Sequence, residues 1–310
     1  MEIQWEQVVK DEKRLQEAKD FPNSVLIDTI SYCNLRCSMC GHKNMKRKPA
    51  KMEEWLVYKI LDEIAEKKPE ARVWMTYFGE ALMLRDKLVE YIRYAKNKGL
   101  QDVVFNSNGQ LLTADLSRKL LEAGLDGIYI GIDAFTEGTY EKLRVGGKFD
   151  RVVANVNNFI DIEREMGIKP TRMYVQLVEM PENRNEIEAF AEYWTERGAI
   201  VKIRPMVSWG GIVEASNLDP EKERFPCYWV MQNISITTTG DVALCAIDME
   251  RAFHGGSVRE WSIEDAWKKG PLSEIRQMHL KGEWERLPLL CRECLDWQSA
   301  CAVFKEKEKV

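Results

Sequence analysis

Strand-like and helix-like segments alternate along most of the chain, and this alternation constrains the fold more than any other feature. The strand-like runs are residues 24–28, 73–78, 103–105, 127–132, 172–178 and 200–203. The segments with apolar residues at helical spacing are residues 52–67, 88–98, 113–123, 151–165 and 184–197. Strands and helices in this order build a parallel sheet covered by helices, and right-handed crossovers curl it towards a barrel. Six strands are too few to close an eight-stranded barrel, so the pattern predicts an α/β fold with a partial (β/α)6 TIM-like barrel.

The alternation stops near residues 209–211, and the remaining chain carries five of the eight cysteines in short, irregular patterns. Residues 5–20 have an amphipathic helical pattern of mixed charge. We therefore predict an N-terminal helix within residues 1–23, a barrel over 24–212 and a smaller C-terminal iron–sulfur domain over 213–310.

Composition excludes several partners. The chain has 310 residues, and its net charge of -5 gives no reason to expect nucleic acid or an anionic membrane. It has no secretory signal pattern at its start and no run of about 18 apolar residues, so we expect a cytoplasmic protein without a membrane partner. In such a chain, cysteines bind metal or do redox chemistry more often than they form disulfides.

The first cysteine set has the spacing C-x3-C-x2-C at Cys33, Cys37 and Cys40. Three thiolates so close together can hold three irons of a [4Fe–4S] cluster, and the fourth iron then stays open for chemistry. The set follows the first predicted strand, at the rim where barrels place their active sites. The alternative is a structural zinc site, for which His42 could supply the fourth ligand.

The run Cys33-Asn34-Leu35-Arg36-Cys37-Ser38-Met39-Cys40 resembles the signature loop of the radical S-adenosylmethionine (SAM) superfamily, in the form found in its SPASM and twitch subgroups. The resemblance implies that the open iron chelates SAM. It also implies that one electron cleaves SAM to methionine and a 5′-deoxyadenosyl radical, which abstracts a hydrogen atom from the substrate. Met39 is expected among the SAM-binding residues.

The end of the second predicted strand, Phe78-Gly79-Glu80-Ala81, resembles the Gly-Gly-Glu-Pro motif of that superfamily. In the family, the backbone and the glutamate of this motif hold the SAM amino group. Phe78 and Ala81 depart from the motif, whereas Glu80 keeps the charge that suits an ammonium. The alternative for Gly79 and Glu80 is a common turn.

The third and fourth predicted strands end in further motifs of this kind. Ser107 and Asn108 lie in a segment that resembles the Thr-Asn-Gly turn of the family. Asp133 resembles the aspartate of a Ser-x-Asp segment near the SAM ribose, with Gly131 in the place of the serine. Arg144 resembles an arginine that pairs with the SAM carboxylate, which a guanidinium can do bidentately. The alternative for Arg144 is a surface salt bridge.

Gln176 and Arg204 also fall at the ends of predicted strands, the fifth and the sixth. The carboxyl ends of parallel strands meet at one mouth, so these polar groups are expected around a single site. We group Gln176 with the cofactor-binding residues and expect Arg204, alone or with Gln176, to orient the substrate. The alternative is that both are ordinary strand-end polar residues.

The second cysteine set consists of Cys227, Cys245, Cys291 and Cys294, with a predicted hairpin before Cys245. The residues alone leave a structural zinc site and an iron–sulfur cluster equally open. The C-x12-G-x4-C spacing and the later CxxC resemble the auxiliary-cluster segment of SPASM and twitch proteins, which implies one auxiliary [4Fe–4S] cluster on these four thiolates. The alternatives for Cys301 are a buried thiol and a candidate catalytic hydrogen-atom donor, as in radical SAM epimerases.

The resemblance implies an oxidoreductase of the dehydrogenase type that oxidises a small polyol or sugar-like alcohol, with the auxiliary cluster as electron acceptor. The alternatives are a peptide-modifying enzyme (an epimerase or a cross-linking maturase) and, more remotely, a non-catalytic iron–sulfur electron carrier. The expected partners are a small-molecule or peptide substrate and reduced ferredoxin or flavodoxin as electron donor. The basic residues after the first cysteine set are typical of a solvated face, or of a docking patch for an acidic donor: Lys43, Lys46, Arg47, Lys48 and Lys51.

Overall fold

The computed structural model describes residues 17–168, 170–215 and 217–299. Most of the predicted N-terminal helix therefore lies outside the described residues, and so does Cys301. Within the described ranges, strands and helices alternate in the predicted order as far as residue 204.

In this part of the chain, eight strands form one sheet in the order β6-β5-β4-β3-β2-β1-β7-β8. The strands are β1 (Ser24–Ile27), β2 (Arg72–Trp74), β3 (Asp102–Ser107), β4 (Gly127–Gly131), β5 (Arg172–Val178), β6 (Ile200–Arg204), β7 (Asn233–Ile236) and β8 (Val242–Ala243). Neighbouring strands from β1 to β6 pair in parallel, with Val25 opposite Val73 and Gly131 opposite Gln176. The predicted partial (β/α)6 barrel is confirmed.

The helices cover the outer face of this sheet and extend into the C-terminal part. They are α1 (Glu54–Lys67), α2 (Asp86–Asn97), α3 (Ala114–Glu122), α4 (Glu137–Leu143), α5 (Phe149–Met166), α6 (Ile187–Glu196), α7 (Tyr228–Gln232), α8 (Ile263–Lys268), α9 (Pro271–Lys281) and α10 (Leu289–Glu293). The apolar stripe of α1 is fully buried at Leu56, Ile60 and Ile64. Thr113 caps α3, because its hydroxyl accepts a 3.3 Å hydrogen bond from the Leu116 N–H. Among the described helices, none is long and apolar enough to cross a membrane.

The C-terminal part continues the barrel sheet. β7 pairs in parallel with β1 over four residues, and β8 pairs antiparallel with β7, as the predicted hairpin requires. Gly240 supplies the turn between them with a φ of 87°, which favours glycine. Arg47 also joins the two parts, since its guanidinium contacts Asp28 and donates to the Met249 carbonyl at 2.6 Å. The interpretation of Arg47 as part of a solvated face is therefore wrong.

The two faces of the barrel sheet differ in chemistry. Alternate residues of a strand point to opposite faces, and the helix-covered face is apolar, as shown by the fully buried side chains of Val103, Phe105, Ile128 and Ile130. The residues between these positions face the inside of the barrel and are largely polar or aromatic. They include Trp74, Asn106, Tyr129, Tyr174, Gln176, Lys202 and Arg204.

Candidate active site

The loop that carries Cys33, Cys37 and Cys40 follows β1 and is held by its backbone. The Ser38 N–H donates to the Leu143 carbonyl at 2.8 Å, and the Tyr32 carbonyl accepts from the Glu80 N–H at 2.8 Å. The three cysteines share one small apolar cluster, which also contains Leu35, Met39, Leu143 and Met180. The loop therefore gathers the three thiols in one place at the carboxyl rim of the barrel.

His42 follows the loop and is buried. Its Nε2 lies 2.8 Å from the Ser31 carbonyl oxygen, so this nitrogen carries the proton and donates it. Among the residues that the structure describes, no three His, Cys, Asp or Glu side chains are arranged to hold a metal ion. Three thiols in one apolar loop fit the cage of an iron–sulfur cluster, each of whose irons takes one external ligand.

Burial raises the pKa of the Cys33 thiol to about 12 and also raises the pKa of Cys40. Thiolates in such surroundings need a nearby cation, because desolvation disfavours the charged form. An iron cluster would supply that positive charge.

Gly79 and Glu80 connect the cluster loop to the end of β3. A Cβ on Gly79 would overlap the Ile30 carbonyl oxygen, so only glycine allows this close approach of backbone. The buried Glu80 carboxylate accepts hydrogen bonds from the Asn108 N–H at 2.7 Å and the Ser107 hydroxyl at 2.8 Å. Burial raises the pKa of Glu80, although these donors oppose the shift.

A carboxylate has about four lone-pair positions, and the protein fills three of them on Glu80, with Leu82 N–H as the third donor at 3.0 Å. One position on Oε2 is left for a further donor. Asn108 faces the cluster loop, since its Nδ2 donates to Asn34 Oδ1 at 2.9 Å. These residues therefore fit an ammonium group bound close to the three cysteines.

Asp133 and Arg144 form a buried ion pair at the end of β4. The Asp133 carboxylate accepts from Arg144 Nε at 2.7 Å and from the Val178 N–H at 2.7 Å. Arg144 Nη1 lies 3.6 Å from Cys37 Sγ. Burial opposes the charge of Arg144, but Asp133 raises the pKa of the guanidinium above its usual value. The alternative of a surface salt bridge is wrong, because Arg144 is 16% exposed and Asp133 is fully buried.

Gly131 explains how this arginine reaches the rim. A Cβ at this position would overlap the Arg144 guanidinium. The replacement of the family's serine by Gly131 therefore makes room for Arg144 beside Asp133 and Cys37.

Gln176 and Arg204 are brought together as predicted, and Asn106 joins them. Gln176 Nε2 donates to Asn106 Oδ1 at 3.3 Å, and Arg204 Nη1 donates to Gln176 Oε1 at 3.4 Å. Burial lowers the pKa of Arg204. The three side chains form a polar row across β3, β5 and β6 on the inside of the barrel.

Four residues next to this row were not predicted from the sequence: Trp74, Tyr129, Tyr174 and Lys202. The rings of Tyr129 and Tyr174 are stacked with centroids 4.1 Å apart, and Lys202 Nζ lies 5.4 Å from the centroid of Tyr129. Burial, followed by repulsion from Arg204 and Arg72, lowers the pKa of Lys202 to about 7. The sequence does carry a signal for these residues, because large polar or aromatic side chains occupy alternate positions of their strands. The strands of a parallel sheet that is covered by helices are expected to be apolar throughout.

The second cysteine set lies around one cavity. Its four thiols line a small cavity of about 10 Å³ together with apolar side chains, among them Leu244, Ile247 and Trp297. Four thiols around one apolar space provide all the protein ligands that a structural zinc ion or an iron–sulfur cluster requires.

His279 contacts two cysteines of this set. Its Nδ1 accepts from the Cys227 N–H at 3.4 Å, so the proton of the neutral ring lies on Nε2, which is 3.3 Å from Cys291 Sγ. Arg224 Nη2 lies 3.7 Å from the same sulfur. Two donors thus point at Cys291, as is common for thiolates that bind a cluster.

Comparison with known families agrees with this architecture. The model of the radical SAM superfamily matches residues 27–193, and the model of the SPASM iron–sulfur cluster-binding domain matches residues 227–295. The fold and the cysteine sets thus define an iron–sulfur enzyme that uses SAM. The chain belongs to the radical SAM superfamily and has a SPASM domain in its C-terminal part. Its cofactors are SAM and [4Fe–4S] clusters, as the sequence predicts.

The chain is similar to a tungsten-containing aldehyde ferredoxin oxidoreductase cofactor-modifying protein of Pyrococcus furiosus, at 28% identity over 56% of this chain and 48% of the relative. It is also similar to a probable GTP 3′,8-cyclase of Methanococcus maripaludis, at 30% identity over 55% of this chain and 54% of the relative. The chain thus spans about half the length of these curated relatives.

Two solved structures share the fold. One is BtrN in complex with AdoMet and 2-DOIA, with a TM-score of 0.62 and 16% identity over 88% of this chain and 93% of that one. The other is Streptococcus suis SuiB bound to the precursor peptide SuiA, with a TM-score of 0.70 and 14% identity over 94% of this chain and 76% of that one. Identities this low show the fold alone.

Proposed function

We propose that this enzyme oxidises a small polyol or sugar-like alcohol bound inside the barrel. The observation that carries the proposal is the position of the three-cysteine loop at the rim of a polar barrel interior, with a separate four-thiol cavity in the C-terminal part. When bound, reduced cluster and SAM supply a radical that removes the hydrogen of a carbinol carbon, and the auxiliary cluster accepts the remaining electron. The hydroxyl proton leaves to a base, and the product is a ketone.

Residues of the rim hold the cofactors in this proposal. Cys33, Cys37 and Cys40 bind the first cluster. Glu80 offers its remaining lone pair to the SAM ammonium, in the neighbourhood set by Gly79, Ser107, Asn108 and Asp133. Arg144 stays beside Cys37 as a fixed positive charge, which suits the SAM carboxylate.

The second cysteine set binds the auxiliary cluster in the same proposal. Cys227, Cys245, Cys291 and Cys294 occupy every coordination position that such a cluster offers to the protein. A fully ligated cluster transfers electrons without binding substrate. This is the role that a two-electron oxidation requires, because the radical accounts for only the first electron.

Inside the barrel, the amide of Gln176 offers a donor and an acceptor, and Arg204 offers further donors. Hydroxyl groups of a polyol both donate and accept, so these side chains suit them. We propose that the two residues hold the carbinol carbon towards the rim. Reduced ferredoxin or flavodoxin is the proposed electron donor.

Peptide modification is the second candidate, favoured by the fold similarity to SuiB over 94% of this chain. The two reactions differ in which deuterated compounds transfer their label. A polyol or sugar deuterated at its carbinol carbons should give deuterated 5′-deoxyadenosine, whereas label transfer from a Cα-deuterated peptide alone would favour the second candidate.

The first test is SAM cleavage by the reconstituted holoenzyme under anaerobic conditions with dithionite. The unaltered chain should form 5′-deoxyadenosine, and a variant with Cys33, Cys37 and Cys40 all replaced by Ala should form none. A matched control with Cys291 and Cys294 replaced by Ala retains the first cluster. A fully iron-loaded chain that makes no 5′-deoxyadenosine would leave only the electron-carrier alternative.

A further inference from the structure

The segment that follows β6 contacts both cysteine sets. It leaves the barrel sheet after Arg204 and contains Ser208, Trp209 and Gly210. The alternation of strands and helices also ends here. The contacts of these three residues run in two directions, to the loop of the first cysteine set and to the neighbours of the second.

On one side, Trp209 holds the loop of the first cysteine set. Its indole Nε1–H donates to the Met39 carbonyl at 2.9 Å, directly before Cys40. The ring also lies against the backbone after that cysteine, because a Cβ on Gly41 would be only 2.9 Å from Trp209 Cγ. Phe78 packs against the indole, with ring centroids 5.9 Å apart. The indole therefore fixes the backbone on both sides of one ligand of the first cluster.

On the other side, Asp296 holds the backbone around Trp209. Its carboxylate accepts from the Ser208 N–H at 2.5 Å and from the Gly210 N–H at 2.9 Å. The Asp296 N–H in turn donates to Cys294 Sγ at 3.2 Å. Asp296 is fully buried, so these hydrogen bonds are shielded from water. One residue thus joins a cysteine of the second set to both neighbours of Trp209.

Gly210 lets the segment approach the second cysteine set closely. A Cβ on Gly210 would lie 2.7 Å from Leu290 Cδ1 and 3.6 Å from Ile247 Cδ1. Both of these side chains line the cavity between the four thiols. The segment therefore packs directly against the wall of the second site.

Trp209 has a backbone conformation that bulky residues avoid. Its φ is 55°, in the left-handed region, where a side chain crowds its own backbone. Strained residues of this kind persist only where their surroundings hold them, and they cluster at functional sites. Here Asp296 holds the peptide groups on either side of the strained residue. Without these hydrogen bonds, the segment would relax and carry the indole away from the Met39 carbonyl.

We propose that Trp209 and Asp296 are positioning residues that couple the two cysteine sets, so that a cluster on the second set strengthens SAM binding at the first. The inference rests on the auxiliary cluster of the proposed function. A bound cluster keeps Cys294 as a thiolate, which accepts the Asp296 N–H more strongly than a thiol does. This hydrogen bond orients Asp296, whose carboxylate then holds Trp209 in its strained conformation. Trp209 in turn keeps the ligand loop in place, and two sites joined by an element with a held and a relaxed state are linked in their affinities.

Asp296→Asn tests the connection at the second set. The asparagine has nearly the same shape, but its amide has one acceptor oxygen where the carboxylate has two, so one of the two backbone N–H groups loses its partner. SAM affinity is measured by anaerobic calorimetry on the oxidised, full-length holoenzyme, in which SAM is not cleaved. It should fall at least about fivefold, the lower end of typical coupling between two sites. The electron paramagnetic resonance spectrum of the reduced first cluster should change as well.

Trp209→Phe tests the connection at the first set. It keeps an aromatic ring but removes the Nε1 donor to Met39, so SAM affinity should fall by a similar factor. Trp55→Phe is the matched control, because Trp55 on the outer helix α1 is 48% exposed and also loses an indole hydrogen bond, to Glu53. The double variant of Trp209→Phe and Asp296→Asn should bind SAM no more weakly than the weaker single variant. Losses that multiply would show that the two residues act separately and would contradict the coupling.

Removal of the second cluster tests the coupling with the connecting segment unaltered. Cys227→Ala with Cys245→Ala leaves Cys294 in place but takes away two of the four ligands. This variant should keep the iron of the first cluster and bind SAM more weakly than the parent. It also decides the outcome if Asp296→Asn fails to fold.

The unaltered holoenzyme separates this inference from the proposed function. If that enzyme forms 5′-deoxyadenosine but the folded variants bind SAM as tightly as the parent, the coupling alone fails. If it forms none with both clusters loaded, the proposed function fails.

Discussion

At the scale of single residues, Lys202 shows how the fold changes the pKa of a charged group. It lies on a barrel strand next to the buried Val201, and its pKa is lowered to about 7 by burial and then by Arg204 and Arg72. The usual pKa of a lysine is about 10.4. A group that is easier to protonate in the unfolded chain destabilises the folded state at low pH, and proteins keep such groups mainly where function needs them.

Lys202→Met should therefore raise the melting temperature at pH 6, and the gain should shrink towards pH 9. The folded parent loses the lysine proton near pH 7, whereas its unfolded state keeps the proton to about pH 10.4, so parent stability rises between these values. Thermal melts of parent and variant at pH 6, 7.5 and 9 measure the difference. Lys119→Met is the control, because its ion pairs raise the pKa of Lys119 and keep it charged throughout. A gain in melting temperature that stays constant with pH would show that the fold does not lower the pKa of Lys202.

At the scale of elements, the position of Arg144 at the end of β4 depends on the absence of a side chain at Gly131. Gly131→Ala should displace the Arg144 guanidinium, because the new Cβ would overlap it. We expect a loss of about 1–3 kcal/mol in the free energy of unfolding, as for other overpacked sites, and a changed electron paramagnetic resonance spectrum of the first cluster. Gly138→Ala in α4 is the matched control, since its Cβ would meet nothing within 4 Å. A normal spectrum in Gly131→Ala would contradict the role of Arg144 beside Cys37.

Elements were predictable where the signal is local. Period-two and helical patterns lie within each segment, so the strand positions and the Thr113 cap follow from sequence. The helix α4 was missed because seven residues are too few to show a clear period. β2 ends at Trp74, earlier than the predicted residue 78, because the chain leaves the sheet there for the cluster loop.

The candidate site was predictable only where motifs carry it. The cysteine spacings are local, and in the fold the cysteines of each set lie close to one another. The pairing of Arg144 with Asp133 depends on the space above Gly131. This space cannot be predicted from a local sequence pattern. The Tyr129, Tyr174 and Lys202 group joins three strands that are adjacent only in the folded sheet, so its members look unremarkable one by one.

At the scale of the whole molecule, two cysteine sets share one continuous sheet. Tyr77 follows β2, and its hydroxyl donates to the Cys245 carbonyl at 2.6 Å, which fixes the second set against the barrel. Replacing Cys291 and Cys294 by Ala should lower iron content by about four atoms per chain without unfolding the barrel. Iron and zinc are measured by elemental analysis, and the triple variant of Cys33, Cys37 and Cys40 should lose the other four. Unchanged iron with one zinc per chain would contradict the auxiliary cluster.

The contact between the barrel and the C-terminal part depends on the buried pair of Asp28 and Arg47. Asp28 is fully buried at the end of β1, and Arg47 links it to the carbonyl of Met249. Burial raises the pKa of Asp28, and Arg47 opposes that shift. Arg47→Met leaves this carboxylate without its cation, which should lower the free energy of unfolding by about 3–5 kcal/mol.

The pH dependence of that loss distinguishes a missing ion pair from poor packing. Without Arg47, the pKa of Asp28 in the folded state rises further above its value in the unfolded state. The variant therefore loses stability as the pH rises from the unfolded to the folded pKa of Asp28. Its loss of stability relative to the parent should be larger at pH 8 than at pH 5. Melting temperatures of parent and variant at both pH values measure the deficit. Arg184→Met, which removes an exposed partner of Glu179, should leave the melting temperature nearly unchanged. A deficit that is equal at both pH values would mean that Arg47 acts through packing and backbone contacts instead of through the charge of Asp28.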